Sequence, residues 1–140
     1  LPDNRPVITR PGVVAELVGK YLHGADREHF VVVMLDTKGG LIGVHVASVG
    51  DLSSTLVHPR EIFKPAILTS AASVIFVHNH PSGDETPSPD DTAVTKRLGK
   101  VGDLLGIEVL DHLVLGAGKR WKSMREMGLY CGGDGNTDTL

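Results

Sequence analysis

One short segment of the chain, residues 77–91, holds four side chains that together could bind and use a metal ion. They are His78, His80, Ser88 and Asp91. Two imidazoles and one carboxylate are the protein ligands of many catalytic zinc sites, which leave a fourth position open. Zinc at such a site lowers the pKa of its bound water to about 7 and polarises carbonyl groups. The segment therefore predicts one zinc ion per chain, bound by His78, His80 and Asp91.

A buried strand, a compact loop and a helix start are predicted to position these residues. The run 72–77 is apolar and partly β-branched, as in a buried strand, and the strand then bears the two histidines. Side chains two apart on a strand point to the same face, roughly 6–7 Å from one another, so both imidazoles could reach one ion. Proline and glycine residues then favour a compact loop, and Pro89 suits the first position of a helix. Asp91, in the first turn of that helix, could swing back toward the strand.

The spacing of Ser88 and Asp91 has a second interpretation, as a helix capping box. In that interpretation Ser88 is the N-cap of the helix, and capping alone would account for both residues. The two roles are compatible, because a capped helix start would also hold the Asp91 carboxylate rigidly. We expect three neighbouring acids to be surface groups rather than ligands: Asp84, Glu85 and Asp90.

Other histidines of the chain are expected to be structural. His45 and His58 have no ligand-like spacing to another candidate ligand. Asp111 and His112 lie on a predicted strand and could form a pair behind a metal ligand. We expect His112 instead to be a core histidine with a main-chain partner.

The composition favours a single globular domain and argues against DNA and membrane partners. The chain has 140 residues, 41% of them hydrophobic, which is enough for one domain with a core. Its net charge of −3 and its 4% aromatic residues are a poor basis for contacts to phosphates or for stacking on bases, so we expect no direct DNA binding by this domain. A single cysteine, Cys131, fits a reducing cytoplasm. No apolar run reaches the roughly 18 residues of a membrane span, so we expect no membrane partner.

The alternation of helical and strand patterns predicts an α/β fold, a three-layer α/β/α domain around a mixed β-sheet. Besides the strand that bears His78 and His80, the predicted strands cover 28–35, 41–49, 107–115 and 121–123. The predicted helices cover 9–24, 58–68 and 88–105, and Pro65 is expected to kink the second rather than break it. The turn 36–40 would join the first two strands as a hairpin. The continuous apolar run of the first strand predicts a central position, buried on both faces.

The domain is predicted to span residues 1–130, with a mobile Gly-rich tail at 131–140 and a loop at 51–55. The edge strands could support a homodimer. The sequence begins Leu1-Pro2 without a methionine, so we expect it to be part of something longer.

The order His-x-His, seven residues, Ser-x-x-Asp resembles the signature of JAMM (MPN-plus) metalloproteases, zinc isopeptidases that cleave ubiquitin-like conjugates. More narrowly, residues from about Thr9 to Glu126 resemble the C-terminal domain of the bacterial RadC family. The likeness rests on four strings, at 58–61, 78–84, 87–89 and 104–112. The resemblance implies a JAMM/MPN domain, whose fold is similar to that of cytidine deaminases. Full-length RadC-type proteins carry an N-terminal helix-hairpin-helix-like module, which is not in this sequence.

The resemblance also implies roles for individual residues. The zinc ligands would be His78, His80 and Asp91, and Ser88 would donate to the oxyanion of a tetrahedral intermediate. The family uses a glutamate at the start of an early strand as general base. Glu28 occupies that place, although a charged residue there could simply face water. Glu61 competes with it, and could equally be a first-turn helix acid.

Two functions follow from the resemblance. One is a zinc-dependent metallopeptidase or isopeptidase-like hydrolase that uses a zinc-activated water on a peptide or isopeptide substrate. The alternative is a non-catalytic or accessory DNA-repair or recombination factor of the RadC family. A zinc nucleoside deaminase would need His-x-Glu and Pro-Cys-x-x-Cys, and the sequence contains neither.

Overall fold

The computed structural model describes residues 5–22, 24–50 and 57–130. Within these residues the elements are α1 (Pro11–Leu22), β1 (His29–Leu35), β2 (Leu41–Val49), α2 (Pro59–Leu68), β3 (Ser73–Asn79), α3 (Pro89–Leu105), β4 (Glu108–Leu115) and β5 (Trp121–Ser123). The predicted helices and strands are confirmed, with small shifts at their ends. Pro65 lies inside α2 without ending it. The predicted loop at 51–55 and tail at 131–140, with Cys131, fall outside the described residues.

The sheet is mixed and runs in the order β2-β1-β3-β4-β5. β1 pairs antiparallel with both β2 and β3, which confirms the hairpin and the central place of β1. β3 and β4 are parallel, so the chain between them must cross over, and α3 is that crossover. β5 pairs antiparallel with β4 at the edge. The parallel pair matters for the site because it places His78 of β3 close to His112 of β4.

Helices cover both faces of the sheet, which confirms the three-layer α/β/α architecture. Successive side chains of β1 alternate between the faces, as the period of two requires. Phe30, Val32 and Met34 enter a core with residues of α2 and α3. The alternate residues, Val31, Val33 and Leu35, pack with α1. β1 is buried from Phe30 to Leu35, and this explains its continuous apolar sequence.

The turn between β1 and β2 is organised by one carboxylate. Asp36 accepts backbone hydrogen bonds from Lys38 (2.9 Å) and Gly40 (2.7 Å). A side chain at Gly40 would place its Cβ 2.5 Å from Asp36 Oδ2, so the turn requires glycine there. The N–H of Gly40 is the main cause that holds the pKa of Asp36 below its usual value.

In the part of the chain that the structure describes, no helix combines the length and the apolar character needed to span a membrane.

Candidate metal centre

The C-terminal end of β3 places the side chains of His78 and His80 next to each other. His78 is 1% exposed and lies within β3, and His80 follows the strand at the start of the loop. Their Nε2 atoms lie 3.0 Å apart. The predicted convergence of the two imidazoles is therefore observed. The residue between them, Asn79, points to the other face, as the alternation of a strand requires.

The start of α3 brings the carboxylate to the same point. Ser88 is the N-cap, and the Asp91 N–H donates to its Oγ at 3.2 Å. In return the Ser88 N–H donates to Asp91 Oδ2 at 2.7 Å, so the predicted capping box is present. Asp91 Oδ1 lies 2.9 Å from His78 Nε2, and Asp91 Oδ2 lies 3.2 Å from His80 Nε2. The cap thus fixes the carboxylate against both imidazoles.

The loop between strand and helix orients the second imidazole. His80 Nδ1 lies 2.8 Å from the carbonyl oxygen of Asp84. The Asp84 carboxylate itself faces away, accepting from the N–H of Thr86 at 2.9 Å. Glu85 lies 3.7 Å from Arg120, and Asp90 is exposed. The three acids that we expected to be surface groups are thus outside the cluster of possible ligands, which comprises His78, His80 and Asp91.

The proton positions around this cluster favour a cation at its centre. A carbonyl oxygen only accepts hydrogen bonds, so His80 Nδ1 must carry a proton, and in the neutral ring Nε2 then has a lone pair. His78 Nε2 and the Asp91 carboxylate point at the same place.

The distances between the three groups can be compared with those of a zinc site. Two ligand atoms about 2.0–2.1 Å from zinc at a tetrahedral angle are about 3.3 Å apart. The spacings of 2.9, 3.0 and 3.2 Å between the three groups are close to that value. The ligand set and its geometry fit zinc.

Asp91 is held in its charged form. Burial raises the pKa of its carboxyl, but the hydrogen bond and positive charge of His78, together with the N–H of Ser88, outweigh burial. The pKa therefore lies well below its usual range. A carboxylate must be deprotonated to bind a metal ion, so this environment prepares Asp91 as a ligand.

Two buried residues, Thr95 and His112, lie behind the two histidines. Thr95 was not predicted as a site residue, and His112 was considered only as part of a pair with Asp111 behind a metal ligand. His112 Nε2 lies 2.7 Å from His78 Nδ1, and His112 Nδ1 is hydrogen-bonded to Thr95 Oγ1. The prediction that His112 is a core histidine is confirmed by its complete burial, but the predicted main-chain partner is wrong, because both ring nitrogens contact side chains. Asp111 accepts from the backbone N–H of His112 rather than from its ring. No local spacing signals this arrangement, since Thr95 and His112 lie 17 residues apart.

Burial lowers the pKa of His112 well below its ordinary value, and the neighbouring charge of His78 lowers it further. His112 is completely buried, with its ring edge-on to those of Phe30 and Phe76. The imidazole therefore remains neutral at physiological pH, and one of its nitrogens is available as an acceptor.

A family model, described as the RadC-like JAB domain, matches residues 8–129. The chain belongs to the RadC family. Among curated relatives, a UPF0758 protein of Rubrobacter xylanophilus is 54% identical over 125 residues, covering 89% of this chain and 54% of the relative. A UPF0758 protein of Desulfitobacterium hafniense is 51% identical over 128 residues, covering 91% of this chain and 56% of the relative. The chain therefore spans about half the length of these relatives.

In this RadC-family domain, Asn79 connects the segment that carries Glu28 to the end of β3, next to the candidate metal ligands. The Asn79 side chain accepts from the N–H of His29 at 2.7 Å and donates to the carbonyl of Arg27 at 2.9 Å. It thus fixes both neighbours of Glu28 next to the two histidines. Glu28 and Pro81 line a shallow pocket of about 550 Å³. Glu28 is placed at the same end of the sheet as His80.

Glu61 lies elsewhere on the RadC-family fold, in the first turn of α2. Its exposed carboxylate is 4.0 Å from Arg60, and its N–H donates to the carbonyl of His58. These contacts agree with the alternative interpretation of Glu61 as a first-turn helix acid.

Proposed function

We propose that this domain is a zinc-dependent hydrolase of peptide or isopeptide bonds. The supporting observation is the convergence of His78, His80 and Asp91, whose facing atoms all lie within 4.8 Å of one another. Zinc bound there would lower the pKa of a water molecule and polarise the substrate carbonyl. The membership of the RadC family, with its JAB-type domain, supports the same reaction class.

Glu28 is our candidate for the general base. In hydrolysis it would take the proton of the attacking water and pass it to the leaving amine. The hydrogen bonds of Asn79 to Arg27 and His29 restrict the backbone on both sides of Glu28, and so would reduce the cost of holding the carboxylate in place.

Ser88 can serve both the helix and the reaction. Its Oγ accepts the N–H of Asp91, so the hydroxyl proton is not used in the cap. That proton could therefore be donated to a developing oxyanion. Capping would hold the hydroxyl beside Asp91 before substrate arrives.

A groove of about 800 Å³ offers a place for substrate. It lies between α1 and the turn 116–121, and reaches Asn79, His80 and Pro81 at the metal centre. An extended peptide lying there would bring one of its carbonyl groups next to the ligand cluster.

The test begins with the zinc content of the purified chain, measured by mass spectrometry, beside that of His78→Ala and Asp91→Ala. We expect about one zinc per chain, lost in both variants. The same preparations are then assayed on a library of peptides and of isopeptides linked through lysine side chains. A chain that takes up no zinc at neutral pH would refute the metal centre. A zinc-loaded chain that cleaves no member of the library would instead favour the accessory role in DNA repair.

The Glu28→Gln variant distinguishes the loss of the proposed general base from the loss of a metal ligand. We expect this variant to keep its zinc and to lose hydrolysis, because an amide cannot accept the proton. Glu61→Gln is the matched control and should retain full activity. If Glu61→Gln is inactive and Glu28→Gln is not, the base is Glu61.

A further inference from the structure

Behind the metal centre, on the side away from the three ligand atoms, a buried chain of hydrogen bonds runs from one ligand to another. His78 Nδ1 lies 2.7 Å from His112 Nε2. The other ring nitrogen of His112 is hydrogen-bonded to Thr95 Oγ1. Thr95 Oγ1 in turn donates to the backbone carbonyl of Asp91 at 2.8 Å. This hydrogen-bond network starts at His78 on β3, passes through His112 on β4 and Thr95 on α3, and ends at Asp91 in the first turn of α3.

The direction of each hydrogen bond follows from its ends. The Asp91 carbonyl only accepts, so the Thr95 hydroxyl donates to it and is then an acceptor for His112 Nδ1–H. His112 in its neutral form therefore has a lone pair at Nε2. That lone pair accepts the Nδ1–H of His78, which leaves His78 Nε2 as the nitrogen that faces the other ligands.

The members of this hydrogen-bond network are shielded from solvent. His112 and Thr95 are both 0% exposed, and His78 is 1% exposed. The rings of Phe30 and Phe76 pack edge-on against His112, with centroids 5.6 and 6.2 Å away, and restrict rotation of the imidazole. Removing the acceptor would leave the Nδ1–H of His78 buried without a partner.

We propose that His112 is a positioning residue for metal binding, which holds His78 in the orientation and tautomer that a metal ion requires. Thr95 extends this control to the third ligand, because it ties His112 to the backbone of Asp91. Histidine ligands generally donate their second N–H to a carboxylate, a carbonyl or water, and loss of such a partner weakens metal binding about 10- to 100-fold. Here a second, uncharged imidazole takes that place. The inference rests on the proposed zinc site, but not on hydrolysis.

The test compares zinc affinities, measured by competition with a chromophoric chelator, across two matched pairs of variants of the full chain. His112→Phe keeps the ring shape and removes the acceptor, whereas His112→Gln retains an oxygen that can accept from His78. We expect zinc affinity to fall about 10- to 100-fold in His112→Phe. The loss in His112→Gln should be clearly smaller. Cobalt(II), substituted for zinc, should show a changed visible absorption spectrum in His112→Phe, because its ligand field depends on the orientation of His78.

Thr95→Val and Thr95→Ser form the second pair and keep the test decisive if His112→Phe does not fold. Val removes the hydroxyl at nearly constant volume, and Ser retains it. We expect Thr95→Val to weaken zinc binding about 2- to 10-fold, the equivalent of one hydrogen bond, and Thr95→Ser to bind within about 2-fold of the unaltered chain. Circular dichroism without metal checks that each variant is folded.

Four results would overturn all or part of the inference. Equal zinc affinity in folded His112→Phe and the unaltered chain would remove any role of His112. Equal losses in His112→Phe and His112→Gln would assign the effect to packing. Equal affinities of Thr95→Val and Thr95→Ser would disconnect Thr95 from the metal centre. An unaltered chain that binds no zinc would refute the proposed function and this inference together, whereas zinc binding without hydrolysis would refute only the hydrolase.

Discussion

Asp91 and Asp111 are two buried carboxylates that differ in the groups facing them. Asp111 accepts from the backbone N–H of His112 at 2.7 Å, from that of Arg125 at 3.0 Å, and from the Ser123 hydroxyl. Asp91 accepts one backbone N–H, from Ser88, and its oxygens otherwise face the Nε2 atoms of two imidazoles.

The difference distinguishes a carboxylate surrounded by hydrogen-bond donors of the protein from one that faces two other candidate metal ligands. Every hydrogen-bond partner that we describe for Asp111 is a donor in the backbone or on β5, so the protein itself supplies the donors to this carboxyl group. Asp91 instead faces the Nε2 atoms of His78 and His80, which can carry a proton or bind a metal ion. A metal ion at this point would take the place of a proton between the carboxylate and the imidazoles. Burial alone would rank the two residues together, at 1% and 6% exposure.

The largest effect is expected from Asp91→Asn, which should abolish zinc binding. The amide oxygen can still accept from the N–H of Ser88, so the unfolding free energy without metal should change by only about 1 kcal/mol. Zinc at about 100 times its Kd should stabilise the unaltered chain by about 2.7 kcal/mol and Asp91→Asn not at all. Urea denaturation with and without zinc measures both quantities. Zinc-dependent stabilisation of Asp91→Asn would show that Asp91 is not a ligand.

Asp111→Ala should have the opposite effects, with a large loss of stability and retained zinc binding. Three donors would lose their acceptor in a buried place, so we expect a loss of about 3–5 kcal/mol in unfolding free energy. The folded fraction should still bind zinc. Asp111→Asn keeps one acceptor oxygen and should lose less. If Asp111→Asn were as unstable as Asp111→Ala, the charge rather than the hydrogen bonds would support the fold.

Ser88→Ala should have the smallest effect on stability, about 1 kcal/mol for a lost N-cap. The Ser88 N–H to Asp91 is retained, so zinc affinity should hardly change. If the hydroxyl also stabilises the oxyanion, kcat should fall by about 10²–10³. Measured kcat on any substrate found, together with urea denaturation, separates the two roles. A fall in kcat no larger than the change in stability accounts for would leave Ser88 as a cap only.

Much of this site could be predicted because its signals are local. The apolar run before His78, the spacing of the two histidines and the Ser-Pro start of α3 depend only on neighbouring residues. The network behind the ligands could not be predicted, because it depends on the parallel register of β3 and β4, in which Phe76 pairs with His112. That register is decided by packing between strands that are distant in sequence, since His78 and His112 lie 34 residues apart. The hydrogen bonds of Asn79 were missed for the same reason, since their partners lie about 50 residues away.

The closeness of His78 and Asp91 along the chain bears on how the protein would acquire the metal ion that we propose. All three candidate ligands leave the ribosome within one stretch of 14 residues, and His112 follows Asp91 by 21 residues. At about 5–20 residues per second, roughly 1–4 s separate the two events. If the site binds zinc as we propose, the three ligands would be synthesised before β4 is complete, and the docking of β4 would then place His112 behind them. Metal binding and its strengthening would be successive steps of biosynthesis.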